Sequence, residues 1–445
     1  MKTTISLVAA IGMGIGCGGA PEPFPWTELE AGERRYHAST SSEGTSTSKA
    51  LLEKEELTLL DVLQLADILN PELAAERKAV DIATAAVWEA KLYPNPSLLA
   101  AIEEYPTKVG GSLGDAKRVV GLGIPLVISG RIGAATSLAE KERDAAALHY
   151  LWRRREILGG VQRAFISLLG SRRNAALAGE TRDLAKRFHA VTDDRFKAQA
   201  IPEMELLKAA VNLAKAEIDL KLVEKDLAVS LKVLHAAMGS IDFPKERFAG
   251  ELGSRFTSAS FEALRGQVLA AHPLLEEAQR RKESAEAELS LARRERIPDP
   301  VFEILGGRDG DDASILEAGV SIPLPIFNRN QGKIAAAEAR IRKAEFEAEA
   351  VRNDLLLRLT EAYRTFTVAQ ERVAVYLDDI LPKAGRALAQ TDEGYRQGKF
   401  SLLDVLDAQR TLAEARIASS AGLADLNLAV AELEKLTGTR LEAVR

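Results

Sequence analysis

A seven-residue rhythm marks two long stretches of this chain, and a two-residue rhythm marks four short ones. Leu206, Leu213, Leu220, Leu227 and Leu234 recur at every seventh position, and three residues after each stand Ala209, Ala216, Val223, Ser230 and Ala237. The same frame returns as Val405, Leu412, Ser419, Leu426 and Leu433, followed by Ala408, Ala415, Gly422, Ala429 and Leu436. Apolar positions seven apart predict helices packed as in a coiled coil, with small residues letting neighbouring backbones approach closely. Ahead of each seam lies a stretch, 133–199 and 332–397, with no proline in the first and only Pro382 in the second. A continuous helix of that length would run to about 100 Å at 1.5 Å per residue. On this pattern alone, an antiparallel coiled coil suffices.

The short rhythm has period two. Leu316, Ala318, Val320 and Ile322 alternate with Ile315, Glu317, Gly319 and Ser321, and Phe302 and Ile304 flank Glu303. Earlier, Val120, Leu122 and Ile124 alternate with Val119, Gly121 and Gly123, with a partner segment within 97–103. Such alternation predicts strands with one apolar face, of a length that lets a tilted strand cross a bilayer. Four strands cannot close a barrel, and an open edge in lipid leaves backbone groups unpaired. Two copies would supply eight strands and three copies twelve, the larger count suiting a wide lumen. The other reading is a pair of soluble hairpins capping the helices.

The order of events occurs twice. "NPEL" at 70–73 and "HPLL" at 272–275 each open a helix, which ends at "YPNP", 93–96, and "IPDP", 297–300, because a proline pair cannot continue the helical ladder. "GIPLVISGRIGAATSLAEKER" and "SIPLPIFNRNQGKIAAAEAR" then lead from strand to helix about 198 positions apart. A duplicated unit is expected, over 57–240 (strands about 97–127) and 261–438 (strands about 300–325), joined by a linker, 241–260, and ending in a tail, 439–445.

Composition narrows the function. Charged residues make up 28% of the 445 and the net charge is −6, so there is no basic face for nucleic acid. The five histidines are scattered, and the single cysteine rules out disulfides within the chain and cysteine-based zinc sites. "GGRDGDD", 306–312, interrupts two strands and is read as a barrel loop rather than an ion site. No nucleophile and base stand together, so neither an enzyme nor a cofactor is expected. The first 17 residues read as a secretory signal, too short to span a bilayer as a helix. They end in Gly16 and Cys17, which resemble a lipoprotein processing site with Cys17 as the lipidated residue. Residues 18–56 are short of apolar side chains and are read as an extended tether.

With these residues in place the chain resembles the TolC-type outer-membrane efflux family from about Leu57 to Gly438. "IPLPIFNRNQG", 322–332, is similar to the heavy-metal branch (cobalt-zinc-cadmium and copper-silver), and "YRQGKFSLLDVLDAQ", 395–409, to the family's tip between paired helices. The resemblance implies a mainly α protein with a small transmembrane β-barrel. A homotrimer would build a twelve-strand barrel in the outer membrane of a Gram-negative bacterium and a periplasmic coiled-coil α-barrel. It implies a passive exit duct for heavy-metal cations, served by a periplasmic adaptor and an inner-membrane resistance-nodulation-division transporter. A duct for drugs or secreted protein is one alternative. A lipid-anchored periplasmic scaffold or adaptor is another.

Three groups of residues follow from the resemblance. Asp404 and Asp407 share a helix face and, with Tyr395, match the family's gate, where carboxylate rings would favour cations. Gly398, Lys399 and Phe400, with Ala200 and Ile201, would be tips that dock the adaptor. Pro125, Pro323, Pro325 and Gly332 would form the junction between barrel and tunnel, Gly332 turning the chain through a positive φ. A solvated helix face and a plain coiled-coil turn are the alternatives for the first two groups.

Overall fold

The computed structural model describes residues 24–26, 50–105, 115–239, 242–257 and 260–441. Cys17, the signal and most of the tether lie outside them. The element order is α1 (Leu59–Leu69), α2 (Pro71–Ala90), β1 (Ser97–Glu103), β2 (Lys117–Pro125), α3 (Arg131–Lys197) and α4 (Glu203–Ala237). It then returns as α5 (Phe261–Ala271), α6 (Pro273–Arg294), β3 (Val301–Arg308), β4 (Ser314–Ser321), α7 (Gln331–Val375), α8 (Leu381–Arg396) and α9 (Leu402–Thr437). The strands fall where period two placed them, and α2 and α6 stop just short of their proline pairs.

Two compact units are present. One holds the sheet with residues 78–149 and 274–351. Its strands lie in the order β1-β2-β3-β4, antiparallel throughout. Ion pairs fasten its helices, among them Lys141 to Glu283 at 2.7 Å and Lys333 to Glu295 at 2.7 Å. The Lys141 ammonium draws the Glu283 carboxyl down to about 2.

The other unit, 26–77, 150–273 and 352–445, contains most of the buried apolar side chains. Its core joins Leu65 and Val62 of α1, Leu158, Val161 and Phe165 of α3, and Leu227 and Leu234 of α4. The stretch read as a linker inserts Phe243 and Phe248 into this core, with Phe248 bridging to Leu57 as a short parallel pair. The end of the presumed tether is helical at 50–53 and buries Leu51. Further upstream, Trp26 packs edge-on against Tyr150 at 5.1 Å and beneath Arg77 at 4.6 Å, so the tether is not wholly free. Burial, joined by the nearby charges of Arg155, Arg358 and Lys435, holds His272 at about 3 and therefore neutral beside Trp152.

The second long helix is not continuous. Between α7 and α8 a π segment, Tyr376–Ile380, intervenes, in which Leu381 N–H donates to the Tyr376 carbonyl. Pro382 has no N–H to offer the Asp378 carbonyl, and widening the turn just before it absorbs the lost bond.

Candidate functional site

Two regions carry features beyond packing. The first is the sheet. In the strand register Leu98, Leu122, Ile304 and Ala318 form one row across all four strands, and Ala100, Val120, Gly306 and Leu316 form the next. Ile124, Phe302 and Val320 extend the same face, which is apolar and open, Leu316 being 79% exposed. The opposite face carries Glu303 and Glu317 among glycines, and there Lys117 bonds to Glu103 at 2.9 Å and Glu317 at 2.6 Å. A Cβ at Gly121 would fall 2.0 Å from the Ile304 carbonyl, so only glycine permits this approach of β2 to β3. Strands β1 and β4 each leave one edge unpaired within the chain.

The second region is where the hairpins α3–α4 and α8–α9 turn. Tyr395, 3% exposed, packs with Phe188, Ala209, Leu402 and Val405, its ring 5.3 Å from that of Phe188. Arg195 lies over the Tyr395 ring at 4.5 Å and donates to its carbonyl at 3.2 Å. The phenol donates to Glu205 Oε2 at 3.4 Å. Burial, opposed by the Arg195 charge and reinforced by Glu205, raises the phenol's pKa, so it remains a proton donor. Tyr395 therefore ties the second hairpin to both helices of the first. Arg195 and Glu205 are not among the residues the sequence singled out. The helical phase of α3 turns Arg195 toward the second hairpin.

Asp404 and Asp407 are both exposed near this turn. Asp404 Oδ2 accepts from Ser401 N at 2.8 Å and Ser401 Oγ at 2.7 Å, closing a capping box at the start of α9. These bonds, from the side chain and then the backbone, hold its carboxyl below the ordinary range. Asp407 pairs with Arg410 at 3.0 Å. Gly398 adopts φ 72, and Lys399 N–H returns to the Gly394 carbonyl at 2.7 Å. Gly394 lies under the Phe400 ring, where a Cβ would meet it at 2.1 Å. Lys399, Phe400 and Ala200 are exposed and Ile201 is half-buried.

At the strand-to-helix junction Pro125 closes β2 against Val301, and Pro323 and Pro325 follow β4. The left-handed residue is Asn330, φ 62, and not Gly332, which lies inside α7 with open space around it. Asn330 is held by donating to the Ala292 carbonyl at 2.7 Å, and asparagine tolerates this conformation better than most side chains. Among the described residues no cluster of histidine, cysteine, aspartate and glutamate has metal-holding geometry, and no helix is long and apolar enough to cross a membrane.

Known proteins resemble this chain in sequence and in fold. The family model described as "Outer membrane efflux protein" matches residues 62–240 and 264–439. The cobalt-zinc-cadmium resistance protein CzcC of Cupriavidus metallidurans is 29% identical over 86% of this chain and 90% of its own. Among solved structures, CusC superposes with a TM-score of 0.73 at 16% identity, covering 91% of this chain and 96% of that one. The outer membrane protein VceC of Vibrio cholerae does so with 0.69 at 18% identity, covering 86% and 96%.

Proposed function

The chain belongs to the outer membrane efflux protein family and is a transport duct rather than an enzyme; from that premise we propose that it is the trimeric exit duct of a tripartite pump exporting heavy-metal cations. The observation that carries the reading is the four-stranded sheet with one apolar face and two unpaired edges. In lipid those edges need partners, and three copies supply a closed ring of twelve strands. The face bearing Lys117, Glu303 and Glu317 then lines the lumen.

The duct is passive. A periplasmic adaptor, docking at Gly398, Lys399 and Phe400 and at Ala200 and Ile201, joins it to an inner-membrane resistance-nodulation-division transporter that supplies the energy. Cys17, once lipidated, adds an anchor to the outer membrane. The cargo assignment is supported by the likeness to CzcC.

Closure is assigned to the turns. Tyr395, clamped by Arg195 and Glu205, holds the two hairpins of a chain together, and separating them widens the entrance. Asp404 and Asp407 place carboxylates around that entrance. Both bonds to Asp404 fall on Oδ2, leaving Oδ1 for a passing cation.

The test has two arms. Deleting the gene should sensitise cells to cobalt, zinc or cadmium, and wild-type chain should restore resistance; sensitivity to drugs alone would defeat the cargo assignment. In planar bilayers Arg195→Ala with Tyr395→Phe should raise single-channel conductance above wild type. Unchanged conductance would remove the latch.

A further inference from the structure

The alternation that defines the lipid-facing side of the sheet does not stop where the strands stop. On β4 the apolar positions are Leu316, Ala318 and Val320, and beyond the last strand residue the same parity continues through Ile322, Leu324 and Ile326. On β2 it runs from Leu122 and Ile124 on to Leu126 and Ile128. All five of the added side chains are exposed, Leu324 by 74%, and the adjoining Phe327 by 91%. No charged residue interrupts 322–328; the first is Arg329, which forms no ion pair among the described residues.

The paired strands are shorter than the bilayer-crossing length that the alternation in the sequence predicts, because the ladder ends before the alternation does. They hold seven, nine, eight and eight residues. Eight residues rising about 3.3 Å each and tilted about 40° cover roughly 20 Å of membrane depth, against an apolar band of about 25 Å. Something beyond the ladder must complete the band.

Backbone leaving a ladder inside lipid is costly because its N–H groups lose their partners. This chain removes or satisfies many of those donors. Pro94 and Pro96 precede β1, Pro298 and Pro300 precede β3, Pro125 ends β2, and Pro323 and Pro325 follow β4. None of these has an N–H. Of the donors that remain, Leu126 N–H reaches the Pro300 carbonyl at 2.8 Å, and Ile128 N–H reaches Asp299 Oδ1 at 3.1 Å. Ile326 N–H turns back to the Leu324 carbonyl at 2.9 Å.

We infer that the segments 126–128 and 322–327 are themselves a membrane-contacting collar, covered by the acyl chains and glycerol region of the periplasmic leaflet. The prolines are there to make a ring without a ladder tolerable in lipid, and Arg329 marks the level of the headgroups, where a cation meets anionic phospholipid. Continuity of parity with the apolar sheet face selects lipid as the occupant over the adaptor or a second copy of the chain. The inference rests on the membrane reading of the sheet.

The test uses full-length protein in vesicles, with a bimane label on Leu324→Cys or Ile326→Cys, on Leu316→Cys within β4, and on Glu349→Cys on α7. Brominated phosphatidylcholine should quench at Leu324 and Ile326 to an extent comparable with Leu316, while aqueous iodide should quench only at Glu349. Iodide quenching at Leu324 matching that at Glu349 overturns the collar. Protection from both quenchers overturns it too, because a second copy then covers the segment. If Leu316 escapes the brominated lipid, the membrane reading itself fails, which separates the two ideas. Should the cysteine variants not assemble, Leu324→Trp gives the same readout as added emission lost to brominated lipid.

Discussion

The two hairpin turns do the same job with different chemistry. In the first, the left-handed position is Gln199, φ 56, and α4 starts after Pro202, which offers no side-chain cap. In the second, the corresponding position is Gly398, φ 72, and α9 starts from Ser401 inside a full capping box. A left-handed conformation strains any residue with a Cβ, and an uncapped helix start leaves N–H groups to water. The second turn is therefore built to hold its shape and the first to give way. Tyr395, the side chain that spans both, belongs to the rigid one.

This contrast can be broken most severely at the residue the turns share. Tyr395→Ala empties a buried ring site and should cost about 3 kcal/mol in denaturant unfolding of the detergent-solubilised protein. A change near zero would mean the hairpins stand apart. Next, Gly398→Ala should destabilise by roughly 1–2 kcal/mol through backbone strain alone, since nothing lies within 4 Å of the added Cβ. Gln199→Gly should move the opposite way by up to about 1 kcal/mol; if both are neutral, the turns do not differ in stiffness.

Capping effects are smaller. Ser401→Ala should cost about 1 kcal/mol, and Pro202→Ser should recover several tenths of that at the first turn, read as shifts in thermal midpoint. The smallest effect is acid-dependent. The Asp404 carboxyl titrates below its unfolded value, so its contribution is complete above the ordinary carboxylate pKa and fades as pH falls through the folded one. Asp404→Asn should flatten that acid-side decline in thermal midpoint. A decline identical to wild type would assign it to other groups.

Much of the architecture is legible in the sequence because periodicity states it directly. Leu206 to Leu234 and Val405 to Leu433 declare helices, Leu316 to Ile322 declares a strand, and proline pairs declare where helices end. What escapes is what periodicity does not encode. Leu51, Phe243 and Phe248 belong to short stretches with no helical or strand period, and only the assembled core shows that they are buried. Arg195 meets Tyr395 across 200 positions, a contact between helix faces that no local pattern announces. The positive φ went to Asn330 rather than Gly332 because its amide is anchored on the end of α6. Asp404 and Asp407 are exposed at the start of α9, and their local partners, Ser401 and Arg410, became visible only with side chains in place.

The widened turn at Tyr376–Ile380 has a mechanical consequence. A rod that must change its winding yields first at its softest point, and the first hairpin's long helix, Arg131–Lys197, contains no such point. Torsion applied at the tips will therefore be absorbed unequally, one arm flexing at the segment just behind α8 while the other transmits the twist along its whole length.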